Sequence, residues 1–382
     1  AERYHRAGKS EAAAEALELI LARYPRHPLA DSAAVWLVQY FASSEVAWRN
    51  RKATSYHVEL VAATSQREDP AHARVPTTDK DGAPLEVIDL SQRSSLTGVT
   101  QHETALPSMT AAQRAGRVLA VTKQVERTRP TLFADPQVQF PLAAAQRHAA
   151  TSAANRPLTE GIPLNIHGVW SAAAAAEEWL KDGKGPVPKR VLSVVSAAEK
   201  PKLDGRLDDR LWQSAKSASL TGVSIDGNEL PATAALAFDE EFLYVALSCR
   251  KAPQVDYSAS RDPRPHDSDL SQFDHVSILL DVDRDYATWW ELSIDHHGRP
   301  AASCFGDTTW NPQWFIAAGG DQDWWTVEAA IPLAELAAAP PKVRDVWAVQ
   351  VQRVIPRHGV QAFSQPAAVN IRPDGFGLLV FE

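Results

Sequence analysis

The chain has 382 residues, too many for one ordinary core, and is 45% hydrophobic and 23% charged, the balance of a soluble globular protein of two or three domains. Its formal net charge of -8 is uneven. Residues 201–382 hold 26 acids against 15 Lys and Arg, and residues 1–200 hold 21 against 24, which excludes nucleic acid as the partner of the acidic half. No apolar run approaches the roughly 20 residues of a membrane span. No basic stretch followed by an apolar run opens the chain. It starts inside a helical pattern, so it reads as a fragment or processed form, with its compartment left open.

Residues 1–50 carry a helical period. In "AGKSEAAAEALELILARYPRHP", Ala13, Leu17, Ile20 and Tyr24 recur at three and four residues before Pro25 and Pro28. In "LADSAAVWLVQYFASSEVAWRN", Val35, Leu37, Tyr40 and Phe41 share a side. With Gly8, Ala13 and Pro25 at their spacing, this stretch resembles one tetratricopeptide repeat, which implies a protein partner. One unit cannot bury its own apolar face, so neighbouring helices are expected at 109–129 and 137–150, before Ala1, or both. Residues 65–108 are polar and punctuated by Pro and Gly, so they are expected to form a long irregular loop within a helical region spanning 51–182. Helical pattern returns at 171–185, and "DGKGPVPKR" then marks a linker over 183–197.

From about residue 198 the period changes to two. "TAALAFD", "FLYVALSCR", "HVSILLDVD", "TWWELSIDH", "WWTVEAAIP", "VWAVQVQRV" and "GLLVFE" are short β-rich runs separated by turn residues. An antiparallel β-sandwich over 198–382 is expected, so the whole chain is multidomain α + β. Four motifs stand in order: "KPKLDGRLDDRLWQSA", "LAFDEEFLYVALSCR", "FDHVSILLDVDRD" and "WWTVEAAIPLAEL". Together they resemble a family 9 carbohydrate-binding module. The resemblance implies a non-catalytic sandwich that holds a sugar terminus between two tryptophans, outside the cytoplasm or at the cell surface. It also implies a structural place for Glu328, ahead of the Ile-Pro turn.

Adjacent strand residues point to opposite faces. Leu243, Val245, Leu247, Val276, Ile278, Leu280, Trp290, Leu292, Ile294, Trp325, Val327, Trp347, Val349 and Val351 then form the core. The other face collects Arg250, Trp289, Glu291, Trp324, Gln350 and Gln352, alongside Tyr244, Ser248 and Glu328. "WW" occurs twice, so one tryptophan of each pair points away from the core. An aromatic plate beside carboxylates and amides suits a sugar, whose C–H face packs on the ring while its hydroxyls meet polar groups at the edge. The alternative is that Trp289 and Trp324 lie under the 300–320 loop or against the helical half. Trp310 and Trp314, in the Pro-containing loop "DTTWNPQWF", are the first individual ligand candidates.

Metal readings are limited. Asp281, Asp283 and Asp285 alternate as at the start of a calcium loop, but the sixth position is Tyr286 and the twelfth Leu292, where an EF-hand needs Gly and Glu. Calcium in another geometry stays open, and no other cofactor is expected. In "DHHG", His296 and His297 would point apart on a strand, so no zinc site is expected there. Cys249 and Cys304 form no CxxC and are expected to be buried thiols rather than a disulfide. No nucleophile elbow, phosphate loop, HExxH or dinucleotide fingerprint occurs. The expected function is therefore non-catalytic: the sandwich binds a saccharide or cell-surface glycan and the helices bind a protein. A scaffold whose sandwich has no sugar ligand is the alternative, and a carbohydrate-processing enzyme a more distant one.

Overall fold

Helices α1 (Glu2–Arg6), α2 (Ser10–Arg23), α3 (Leu29–Ala42) and α4 (residues 44–52) open a computed structural model that describes residues 1–52, 74–78, 84–88, 109–150, 168–222, 224–225, 228–258 and 268–382. Tyr24 leaves helical dihedrals and Pro25 follows, which ends α2. The polar stretch 65–108 departs from the expected irregular loop. Within it, β1 (Arg74–Thr78) and β2 (Pro84–Ile88) pair as an antiparallel hairpin beside β12, and its other residues lie outside the described ones. Five residues per strand escape period-two reading because Pro76 sits inside one run and Pro84 opens the other.

Helix α5 (Ala111–Thr128) starts on a capping box, the Thr110 hydroxyl accepting from the Gln113 amide while the Gln113 side chain accepts from the Thr110 amide. A short α6 (Pro130–Phe133), α7 (Pro136–Ala150) and α8 (Ser171–Asp182) follow, α8 stopping at Gly183 in the left-handed conformation. Helix α3 packs against α2, α5 and α7, burying Ala30, Ala33, Ala34, Leu37, Val38 and Phe41. None of the helices among the described residues is long and apolar enough to cross a membrane.

The remaining strands are β3 (Val191–Ser196), β4 (Ala218–Leu220), β5 (Ser224–Ile225), β6 (Asn228–Glu229), β7 (Ala232–Phe238), β8 (Phe242–Arg250), β9 (His275–Asp281), β10 (Trp290–Asp295), β11 (Pro300–Cys304), β12 (Phe315–Gly320), β13 (Trp324–Pro332), β14 (Val346–Ile355), β15 (Gly359–Ala362) and β16 (Gly377–Phe381). Short helices α9 (Arg210–Ser214) and α10 (Leu333–Leu336) interrupt them. Apart from the hairpin β5–β6, they form one curled sheet in the order β11-β10-β9-β14-β16-β3-β7-β8-β13-β12, with β15 added to β14 and β4 to β7. Its concave side is the predicted core, and Cys249 and Cys304 are buried there as free thiols.

Two boundaries move. The proposed linker 183–197 contains β3, which pairs in parallel with both β16 and β7 and so sits at the centre of the sheet. A cut at 198 would remove that strand. The halves are also not separately packed: one apolar cluster runs from Leu21, Leu37, Phe41, Val118 and Leu142 of the helices into Trp290, Ile316 and Trp347 of the sandwich. The helices find in the sandwich the cover that an isolated helical pair lacks.

Candidate functional site

Curling the sheet splits its polar side into two outward faces, and the predicted residues divide between them. On β9, β10 and β14 the pairing is in register. Glu291 lies beside Leu279, which lies beside Gln350, and Gln352 lies beside Ser277, which lies beside Ser293. Trp289 stands at the edge of this group, half-buried, with its ring 5.8 Å from that of Phe376. It borders an apolar cluster made by Phe140 and Ala143 of α7, Ala173 of α8, Leu279 and Tyr286. One edge of Trp289 thus belongs to the seam with the helical half, which is why a tryptophan stands on the polar side.

The polar groups around it are unequal. The Glu291 carboxylate accepts from the Ser303 hydroxyl at 3.0 Å, and burial pushes its pKa above the usual range against the pull of Ser303 and His275. The hydroxyls of Ser277 and Ser293 share a hydrogen bond of 2.6 Å. Gln350 is committed to structure: its amide donates to the Ser364 carbonyl at 2.7 Å and accepts from the Ser364 amide at 2.9 Å. Gln352 is 5% exposed. Ser277, Ser293 and Ser303 went unnoticed in the sequence, although the same alternation that selects Glu291 places them on its face.

Trp324 and Arg250 are direct cross-strand partners on the other outward face, Arg250 exposed and Trp324 half-buried. Most of that face is covered by the segment before β4. Leu203 and Trp212 pack there on Tyr244, Ala246, Phe315 and Ala330. Glu328 holds this cover. One oxygen accepts from the amides of Asp204 (3.0 Å) and Gly205 (2.8 Å), the other from the Trp212 indole (2.7 Å). Gly205 has φ +77°, and a Cβ there would come within 2.7 Å of the Ala318 backbone, so glycine is required. The Leu-Asp-Gly and Trp signature is thus the clasp of the fold.

The loop tryptophans lie elsewhere. Trp310 is 6% exposed and packs on Trp290 with ring centroids 4.2 Å apart, so this ring belongs to the core and not to an open loop. Pro312, two residues on, has no N–H to give a ladder, and residues 308–314 form no strand while the ring turns inward. Trp314 is half-buried against the same cluster, its indole nitrogen buried without a partner.

The turn joining β9 to β10 is gripped by the helices. Glu45 of α4 accepts from the Val282 amide (2.7 Å) and from the hydroxyls of Ser43 (3.0 Å) and Thr288 (3.2 Å). The Ser44 amide donates to Asp283 (2.8 Å), and Arg147 of α7 donates to the carbonyls of Asp283 and Arg284. Oxygens of Glu45, Asp281 and Asp283 lie within 4.8 Å of one another, all buried, a hard-oxygen set that could hold a cation of the calcium type. Tyr286, at the position where an EF-hand needs Gly, adopts φ 51°. Burial and neighbouring acids push Glu45 and Asp281 well above the carboxylate range and Asp285 to about 8. Burial also works to raise Asp283, but His148, Ser44 and Arg147 outweigh it and bring it to about 2. Glu45, 236 positions from Asp281 in the chain, carried no sequence signal pointing to this group. Beside it opens a cleft of about 570 Å³ between the halves, lined by Phe41, Trp48, Arg114, His148, Asp283 and Trp347 among others.

Fold and faces together describe a curled β-sandwich clasped by a helical bundle. No family model matches the sequence, and no curated protein does. Among solved structures, the chain is similar to a family 9 carbohydrate-binding module from Caldicellulosiruptor kristjanssonii in complex with cellotriose. That likeness has 17% identity and a TM-score of 0.39, and covers 50% of this chain and 94% of the other. The same kind of module from that organism in complex with glucose gives 17% identity and a TM-score of 0.38, over 50% and 96%. A Bacteroides uniformis structure gives 12% identity and a TM-score of 0.39, over 51% and 100%.

Proposed function

We propose that the chain is a non-catalytic binding protein whose outward face on β9, β10 and β14 takes a saccharide. The observation that supports this most is the register itself, which aligns Glu291 with Ser303, and Ser293 with Ser277 and Gln352, on the face where half-buried Trp289 precedes Glu291 by two residues. A pyranose offers one apolar C–H face and a rim of hydroxyls, for which this face supplies the half-buried Trp289 ring and Glu291 carboxylate, over a floor of buried hydroxyls and amides. Trp324 with Arg250 forms a smaller face of the same chemistry. The helical half positions the sandwich and is proposed to hold a protein partner.

Calorimetric titration of the full chain with glucose and cellotriose tests the reading. Trp289→Ala is expected to weaken binding by about 1–2 kcal/mol, roughly five- to thirty-fold, with Glu291→Gln smaller and Trp324→Ala without effect. Loss of binding only in Trp324→Ala moves the site to the other face. If no saccharide binds the unmodified chain, the scaffold reading replaces this one. Cleavage of cellotriose would instead make the chain an enzyme.

A further inference from the structure

The expectation that His296 and His297 point apart assumed a strand. β10 ends at Asp295, and the two histidines occupy the turn into β11, which brings their rings together, tilted by 42° with centroids 3.9 Å apart. Ligand atoms of Asp295, His296 and His297 lie within 4.8 Å of one another. We propose that this turn is a site for a borderline divalent transition-metal ion of the zinc class, bound through two imidazoles and one carboxylate.

Three observations carry it. His297 Nε2 faces the Ser258 carbonyl at 2.7 Å, and only an N–H can meet a carbonyl, so in the neutral ring the lone pair is on Nδ1, on the side of Asp295, 3.6 Å from Oδ2. A hydrogen bond that fixes one ring nitrogen while the other points at a carboxylate is the outer-shell arrangement of metal-binding histidines. Secondly, His296 is 7% exposed, and its Nδ1 is 3.5 Å from the Asp274 carbonyl, while its Nε2 is buried with no hydrogen-bond partner. A buried, unpaired lone pair is what the turn alone leaves unexplained. Thirdly, a cation already occupies the position. Arg299 donates to Asp295 Oδ2 at 2.7 and 2.6 Å and approaches His297 Nδ1 at 3.2 Å, with its guanidinium 3.7 Å from the Phe273 ring.

Nitrogen and oxygen donors suit zinc, nickel or cobalt rather than calcium. Three protein ligands leave a fourth position for water. Binding requires Arg299 to yield; Tyr257 already packs beside the turn, its ring 4.9 Å from that of His296 and its hydroxyl donating to Asp274 at 2.6 Å.

The test uses the full chain stripped by chelator and titrated with Zn²⁺, with Co²⁺ absorption reporting the ligand set and Ca²⁺ as competitor. The proposal expects one Zn²⁺ bound, at least about tenfold weaker in His296→Phe, which keeps a ring but no nitrogen, and in His297→Phe. Arg299→Gln removes the resident cation and is expected to tighten Zn²⁺, a gain that misfolding cannot imitate. Unchanged Zn²⁺ affinity in His296→Phe, absence of Zn²⁺ binding in both the parent and Arg299→Gln, or displacement of Zn²⁺ by Ca²⁺ would each overturn it.

Discussion

Replacing Glu328 with Gln separates two forces acting on one carboxylate. Three N–H donors favour its ionised form, whereas burial opposes it, and burial prevails, pushing the pKa from 4.5 to about 7. A folded-state pKa raised above the unfolded one means that the native state keeps its proton longer. The stability from this group is complete below pH 4.5 and is lost as pH climbs to about 7. At about 1.4 kcal/mol per unit the loss is about 3 kcal/mol. Gln cannot ionise, but its amide NH₂ must face one of the three donors, an unsatisfied buried contact worth about 1–3 kcal/mol. In urea unfolding of the full chain, Glu328→Gln should be the less stable form near pH 4.5. It should draw level with the parent, or pass it, by pH 8, and acids elsewhere cancel in the comparison. A gap that stays constant across that range would refute the reasoning, since Glu328 would then be ionised throughout and its three donors would outweigh burial.

Trp310→Ala should lower stability by about 3–5 kcal/mol in a melting assay while leaving any saccharide affinity unchanged, because its ring packs on buried Trp290. Arg353→Met should cost about 3–5 kcal/mol, because Arg353 and Asp274 pair at 0% side-chain exposure and the buried carboxylate would keep only the Tyr257 and Trp325 donors, with no cation beside it. Adding Asp274→Leu should recover part of that loss, and no recovery in urea unfolding would show that the pair is held by more than its charges.

Period two was enough to find the core. Trp290, Leu292, Ile294, Val276, Ile278 and Leu280 are all buried, as alternation requires. It could not show that the sheet curls. Arg250 and Glu291 belong to one side of an open ribbon, and only long-range pairing places them on separate outward faces. Strand β3 was hidden because "VLSVVS" is short and its partners lie at 232–238 and 377–381, with no local turn to announce either pairing. Trp310 misled because a proline-bearing loop suggests exposure, whereas ring direction depends on which strand it crosses. The histidine turn was missed by two residues, β10 ending at Asp295 where the strand was carried on through His297.

Strand β16 is the last of the described strands in chain order, yet it stands between β14 and β3, joining the two halves of the large sheet that are otherwise bridged, among the described residues, by the Thr221–Ala362 backbone pair. Until it arrives, β14 and β3 present open apolar edges to whatever is nearby, a second nascent copy included. Assembly of this sheet is therefore a closing rather than a zipping up. The order of events matters more than local propensity, and a lesion in "GLLVF" would harm solubility during folding before it harmed the finished molecule.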